Sequence, residues 1–507
     1  MTLAATKTEL SRGRVALAMG AVALLMLGLA MVTRLNHDES QYFAAAELAA
    51  RWQPFVDFLH LQTPYQIYVA APIAALSDEY SLLMLRAFNS VMGVATIALV
   101  YACQRLLDVE RRTALLVSLL LPLTHSFQFG SVMFRNDALP AFLSAAGLLL
   151  ALLAVRRSAW WWLFSGAAFA AAIGVKLSYA LPAAAVGLYH VLNVARRRDR
   201  SSLLEAAATA AGAALALAPL LVIRSGAPEA FDYGVLGYGA EAPFHWYRAN
   251  GYEHRLGLGS KLLDTAVILL RGPAWIALAL VLFGWWRTKK RKGHADAALL
   301  LDLLIVAGLI AALLPTPTWQ QYLIPLLPPL YVRLGLTLRS ELAGYRPGKL
   351  VSGLLVLSLV VGLAQPVVWL VEATRGRNNA LSATLEARWM GRELKAAGAE
   401  GEIATLSPQV TLDSGYALDR HFANGPFFYR SGDAVPAARQ ARLNAVSPAT
   451  LQRHLERSPP AAIVTGYESK DHIDRHNLDD GLRNFARANG YRLQRSPYGD
   501  AELYIRP

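Results

Sequence analysis

Two adjacent carboxylates, Asp38 and Glu39, lie in the stretch Arg34-Leu-Asn-His-Asp-Glu-Ser-Gln-Tyr-Phe43. The stretch directly follows a long apolar run, and an aromatic pair, Tyr42 and Phe43, closes it. Acids are costly to hold beside lipid, so acids at a membrane face usually serve a function. A carboxylate in such a place suits proton abstraction from an acceptor, and Asp38 is the candidate base. The same dipeptide also suits a charge pair opening a helix, where the helix dipole favours anions. Ser40 is positioned to cap a helix running to about Trp52 that would lie along the membrane surface. Beyond it, Pro54 to Leu61 leads into His60-Leu-Gln-Thr-Pro64-Tyr65, where His60 is either a site residue or a plain loop histidine.

Basic partners for these acids come from far along the chain. Phe134-Arg-Asn-Asp-Ala-Leu-Pro140 places Arg135 and Asp137 at a membrane face; they either pair, or face the Asp38 loop, or cap the next helix. Lys176 has apolar runs on both sides, so it must snorkel, pair or line a wet cavity, and a lipid phosphate would suit it. Arg271 precedes Gly272-Pro273 inside another apolar run, where a kink is expected. Gln320, Gln321 and Tyr322 follow Trp319 and open a proline-rich segment; they suit hydrogen bonding to a sugar or phosphate. Trp319 reads as an interfacial anchor.

The elements that must position these residues are membrane spans. The chain of 507 residues is 55% hydrophobic and 17% charged, against about 25% charged in an ordinary soluble domain. Apolar segments at 15–33, 82–103, 113–130, 138–155, 159–175, 177–194, 202–223, 262–286, 297–314, 322–338 and 350–371 predict about eleven spans. The pair at 159–194 is expected to be broken or tilted at Lys176. Lys7, Arg12 and Arg14 before the first run resemble the opening of a signal peptide, but the run is long, and a retained span is expected.

Charge alternates between loops. Bases collect at Arg105, Arg111 and Arg112; at Arg156 and Arg157; at Arg196, Arg197, Arg198 and Arg200; at Arg287, Lys289, Lys290, Arg291 and Lys292; and at Arg339, Arg346 and Lys349. Acids dominate the intervening loops at 34–80 and 225–260. By the positive-inside rule the N-terminus is cytoplasmic, and the candidate site residues gather on the external face. This placement accounts for most of the net charge of +13, so nucleic acid is not an expected partner. The single cysteine, Cys103, excludes a disulfide framework and a cysteine-based metal site.

After about residue 371 the chain turns polar. Short β-like runs at 402–406, 461–465 and 501–505 alternate with helical patterns at 383–397, 448–457 and 479–489. A small external α/β domain over 372–507, with a partly parallel sheet, is expected.

In its order of motifs the chain resembles the GT-C superfamily of polyprenyl-phosphate-dependent glycosyltransferases, in the branch of protein O-mannosyltransferases and aminoarabinose transferases. The shared features are Asp38-Glu39 after the first span, Tyr42, His60 through Thr63-Pro64, Arg135 with Asp137, Lys176, Tyr322 before a proline-rich span, and an external tail. The family often has Pro-Pro where this chain has Thr63-Pro64, and an arginine where it has Gln321. The resemblance implies a polytopic helical fold in the inner (plasma) membrane and inverting transfer of a sugar from a polyprenyl phosphate to an acceptor hydroxyl. The acceptor would be a protein, a lipid or a glycan. Asp38 would be the base, and Glu39 would support it or contact the acceptor. Arg135, Asp137, Lys176, Arg271 and the Gln320–Tyr322 cluster would serve the donor, and Tyr42 and His60 the acceptor loop. No cofactor is firmly implied; a divalent cation between Asp38 and the phosphate is compatible, although no ligand set for one stands out. The rival expectations are a transporter or flippase of a lipid-linked or anionic solute, and a membrane scaffold without catalysis.

Overall fold

Apolar runs of span length fold as helices because a backbone in lipid must satisfy its own hydrogen bonds. The computed structural model describes residues 10–287, 294–345, 347–374, 376, 378–468 and 477–507; Lys7, Lys289, Lys290, Arg291, Lys292 and Arg346 lie outside the described residues. Among the described residues, seven helices are long and apolar enough to cross a membrane: Arg12–Val32, Ser81–Leu106, Ala138–Arg156, Leu177–Arg197, Arg200–Gly226, Ala295–Leu313 and Lys349–Ala373. Two bent pairs raise the number to nine.

Four of the eleven expected spans depart from a straight helix. The run at 113–130 bends by 72° between Leu123 and His125, after Pro122 removes a backbone donor. The run at 262–286 bends by 97° between Leu258–Leu270 and Ala274–Arg287. The two corners touch: the Arg271 carbonyl accepts from the His125 amide at 3.1 Å, and a Cβ on Gly272 (φ +120°) would lie 2.5 Å from the Leu123 carbonyl oxygen. Glycine is therefore required at that corner. The run at 159–175 gives only a 15-residue helix, Trp161–Val175, which ends at Lys176 as expected. The run at 322–338 begins as a 3-10 segment, Gln320–Leu326, and continues as helix Leu327–Ser340. Residues Leu327–Thr337 of that helix are all buried, so its apolar sequence reflects protein packing rather than lipid contact. Arg333 lies within it, fully buried, on Asp302 at 2.9 Å and Glu341 at 2.6 Å.

The first long loop holds helix Glu39–Ala49 and helix Tyr65–Ala74. The expected surface helix is instead covered: Glu39 through Ala46 and Leu48 are buried. The cause is long-range. Leu418 and Ala423 of the tail pack on Ala44, Ala45 and Leu48, and Leu412 joins Tyr42 and Phe43.

The last span-length helix ends at Ala373, and helix Ala380–Ala396 opens the tail, with Asn379 capping it. The tail sheet has the order β1 (Ile403–Thr405), β2 (Ala462–Thr465), β4 (Glu502–Ile505), β3 (Arg492–Arg495). β1 and β2 run parallel and the other pairs antiparallel. Side chains alternate across it. Ala404, Ile463 and Tyr504 face helices Pro448–Arg457 and Asp480–Ala488 through Leu455 and Leu482, whereas Ile403, Val464 and Leu503 face Met390 and Leu394. β3 escaped the sequence reading because Arg-Leu-Gln-Arg carries one apolar residue. The region at 225–260 also contributes a helix, Tyr238–Ala249, docked on the tail by the Tyr238 hydroxyl, which donates to the Phe427 carbonyl at 2.9 Å.

Candidate active site

Position 38 is fixed by an arginine inside a span. Helix Arg12–Val32 leaves its last carbonyls without helical partners. Arg86, fully buried on helix Ser81–Leu106, donates to Ala30 O at 2.9 Å, Thr33 O at 2.8 Å and Arg34 O at 3.2 Å. Its other edge grips Glu39: Nε donates to Oε1 at 2.9 Å and Nη2 to Oε2. The Phe134 amide donates to Oε1 at 2.7 Å and the Asn36 amide to Oε2 at 2.9 Å. Glu39 is thus fully buried and fully engaged. The expected acceptor contact does not fit it; its geometry is that of an anchor joining three segments.

Asp38 occupies the N-cap position of helix Glu39–Ala49 yet makes no capping bond. Its Oδ1 meets His37 Nε2 at 3.1 Å and its Oδ2 accepts from Arg135 Nη1. Arg135 Nε donates to Asp137 Oδ2 at 3.0 Å, and Lys176 Nζ donates to Asp137 Oδ1. Asp137 sits at the start of helix Ala138–Arg156, but its side chain makes no cap bond because both its oxygens serve these cations. Lys176 adopts an extended backbone that ends one helix, and its ammonium lies 5.3 Å from the Tyr322 ring centre. Three helix-end segments, remote in sequence, thereby build one row of alternating charge: Asp38, Arg135, Asp137, Lys176. Arg135 and Asp137 are buried, whereas the Asp38 side chain keeps 24% exposure. Tyr42 lies alongside, its hydroxyl donating to Asn136 Oδ1 at 2.9 Å.

Burial disfavours a charged Asp38, but the Arg135 guanidinium and His37 overcome that cost and hold its carboxyl well below the usual range. Burial likewise opposes charging of His37, and the Asp38 carboxylate more than offsets it, raising the imidazole.

Other expected residues fall elsewhere. His60 is buried against the Phe55 ring at 5.9 Å, and burial pushes it down to about 3, so it is a neutral core histidine rather than a loop ligand. Arg271 is exposed at the 97° corner beside His125. Gln320 also neighbours His125, and Gln321 is half-buried next to Tyr322. Of that cluster, Tyr322 is the residue in contact with the charged row.

Three contributors were missed in the sequence. Arg86 carried a signal, since an arginine inside an apolar run needs a partner. His37 carried none: beyond Asp38, its neighbours include Phe427, with ring centres 5.0 Å apart, and Glu468 at 3.9 Å, both from the distant tail. Asn136 was passed over between Arg135 and Asp137.

Residues 61–223 match the family described as dolichyl-phosphate-mannose-protein mannosyltransferase. By sequence, no curated protein matches the chain. In fold the chain is similar to ArnT from Cupriavidus metallidurans bound to undecaprenyl phosphate, at 15% identity, TM-score 0.61, and 98% coverage of both chains. It is also similar to the oligosaccharyltransferase of Archaeoglobus fulgidus in its apo form, at 14% identity, TM-score 0.53, covering 90% of this chain and 70% of that one. The oligosaccharyltransferase AglB from Archaeoglobus fulgidus, in complex with an inhibitory peptide and a dolichol-phosphate, gives 14% identity and TM-score 0.51, over 97% of this chain and 74% of that one. The matched segment lies in the first half of the chain, and the chain shares the fold of these proteins over 90% or more of its length.

Proposed function

We propose that the chain transfers a sugar from a polyprenyl phosphate to an acceptor hydroxyl at the external face of the inner membrane, with inversion at the anomeric carbon. The observation that carries this is the row Asp38–Arg135–Asp137–Lys176, gathered at one face, with the outermost carboxylate reachable. Two proteins of similar fold hold undecaprenyl phosphate and dolichol-phosphate, which supports a lipid-linked donor here. The loop charges support a cytoplasmic N-terminus and an external tail.

In the step proposed, the acceptor oxygen bonds to the anomeric carbon, the bond from that carbon to the phosphate oxygen breaks, and the acceptor proton passes to Asp38. Arg135 and Lys176 stabilise the departing lipid phosphate. The resting pair between Asp38 and Arg135 keeps the carboxylate weakly basic. When the donor phosphate draws Arg135 away, Asp38 loses its counter-charge and becomes a better base, so basicity rises only with donor in place. A divalent ion on Asp38 would compete with Arg135 for the same oxygen, so the positive charge is assigned to the two side chains.

The test uses purified protein in detergent micelles with a labelled polyprenyl-phosphate sugar and extracted envelope acceptors. Transfer of label without any sealed compartment is the expected result. Label that crosses sealed vesicles with no glycosylated product at all would replace this function with transport.

A further inference from the structure

We infer that the tail carries a metal site of its own, separate from the charged row, made by Asp419, His421 and His454. Its occupant would be a divalent transition ion of the zinc class. His421 follows Asp419 by two residues in a 3-10 turn, Arg420–Phe422, and His454 comes from helix Pro448–Arg457. His421 Nδ1 lies 2.9 Å from Asp419 Oδ1, and His454 Nε2 lies 2.6 Å from Asp419 Oδ2. The three ligand atoms fall within 4.8 Å of one another, and the two imidazole centres are 4.3 Å apart. Two nitrogens and one oxygen at that spacing surround a point that one small cation can serve. Asp419 is buried while the imidazoles keep 27% and 15% exposure, so the remaining coordination positions open to water.

The charge surrounding the cluster favours a cation. Glu402 lies within electrostatic reach of all three side chains, and also of Arg420. Arg420, the adjacent base, turns away: its guanidinium lies over the Trp52 ring at 5.0 Å and 3.8 Å from Asp57. The cluster itself offers one carboxylate and two imidazoles, with the Glu402 carboxylate near by. Calcium and magnesium prefer all-oxygen shells, whereas imidazole nitrogens suit zinc and its neighbours. The ion would clamp the 418–423 turn to helix Pro448–Arg457. Leu418 and Ala423 of that turn pack on Ala44, Ala45 and Leu48, so the clamp braces the helix that begins beside Asp38.

The test takes full-length protein without a polyhistidine tag, in micelles, stripped with a chelator and titrated with zinc chloride, with bound metal counted by mass spectrometry. One zinc per chain is expected in the wild type and in Asp38→Asn, with a zinc-dependent rise in unfolding temperature in both. His421→Ala and His454→Ala should each weaken binding by about tenfold or more and lose that rise. Absence of stoichiometric zinc in the wild type, or zinc retained at full affinity by both histidine variants, would leave only a hydrogen-bonded cluster and overturn the site. The readout is independent of sugar transfer.

Discussion

Replacing Glu39 by glutamine is a direct probe of how position 38 is held. Glu39 accepts four hydrogen bonds, two from Arg86 and one each from the Phe134 and Asn36 amides. A glutamine amide nitrogen cannot accept, so one edge would oppose two donors to a donor. The change also strips the counter-charge from Arg86, which is fully buried. Breaking a buried pair from one side costs about 3–5 kcal/mol, a large share of a typical ~5–15 kcal/mol of folding stability. Arg86→Met should be comparably damaging, because it also orphans the Ala30, Thr33 and Arg34 carbonyls. The double variant removes both charges, so its loss should fall short of the sum by about 0.5–3 kcal/mol. Thermal unfolding in micelles, followed by far-ultraviolet circular dichroism, reads all three. Strictly additive losses, or a Glu39→Gln protein as stable as the wild type, would refute the anchor.

Two further outcomes follow from the geometry. Burial pushes the Glu47 carboxyl up to about 8, with Arg51 opposing and Asp413 adding to the rise. The folded value then exceeds the unfolded one of 4.5, so the unfolded chain gives up its proton first and stability falls as pH rises from about 4.5 towards 8. Glu47→Gln should remove that fall, raising the unfolding temperature at pH 8 far more than at pH 5; equal effects at both would contradict it. Lys176→Met should cut transfer by about a hundredfold and weaken inhibition by free polyprenyl phosphate, measured in the same micellar assay; unchanged inhibition would remove Lys176 from the phosphate.

Much of this organisation was legible because lipid imposes one pattern. Long apolar runs and alternating loop charge located the helices and gathered Asp38, Arg135, Asp137 and Lys176 at one face. Lys176 revealed itself by interrupting apolar sequence, and Gly272-Pro273 announced its corner. The 97° angle did not follow from sequence, since it depends on Leu123 receiving Gly272 from another span. Helix Leu327–Ser340 is packed among other protein segments, which the sequence does not reveal because a helix buried in protein and one facing lipid are equally apolar. The sharpest misreadings concern contacts between segments distant in the chain. Helix Glu39–Ala49 read as a surface helix, and the partners of Glu39 went unseen, because nothing local says that Arg86 and the tail cover them. Asp419, His421 and His454 stayed invisible for the same reason: their spacing matches no linear metal motif.

Asp38→Asn, measured in a single-turnover transfer assay with saturating donor, tests the proposed base most directly. The asparagine keeps the shape but cannot take a proton. Its transfer rate should fall by about 10²–10⁴-fold, while donor binding is kept or tightened, because Arg135 no longer has to leave a charged partner to meet the phosphate. Transfer by a correctly folded Asp38→Asn protein at the wild-type rate would contradict the account at its centre.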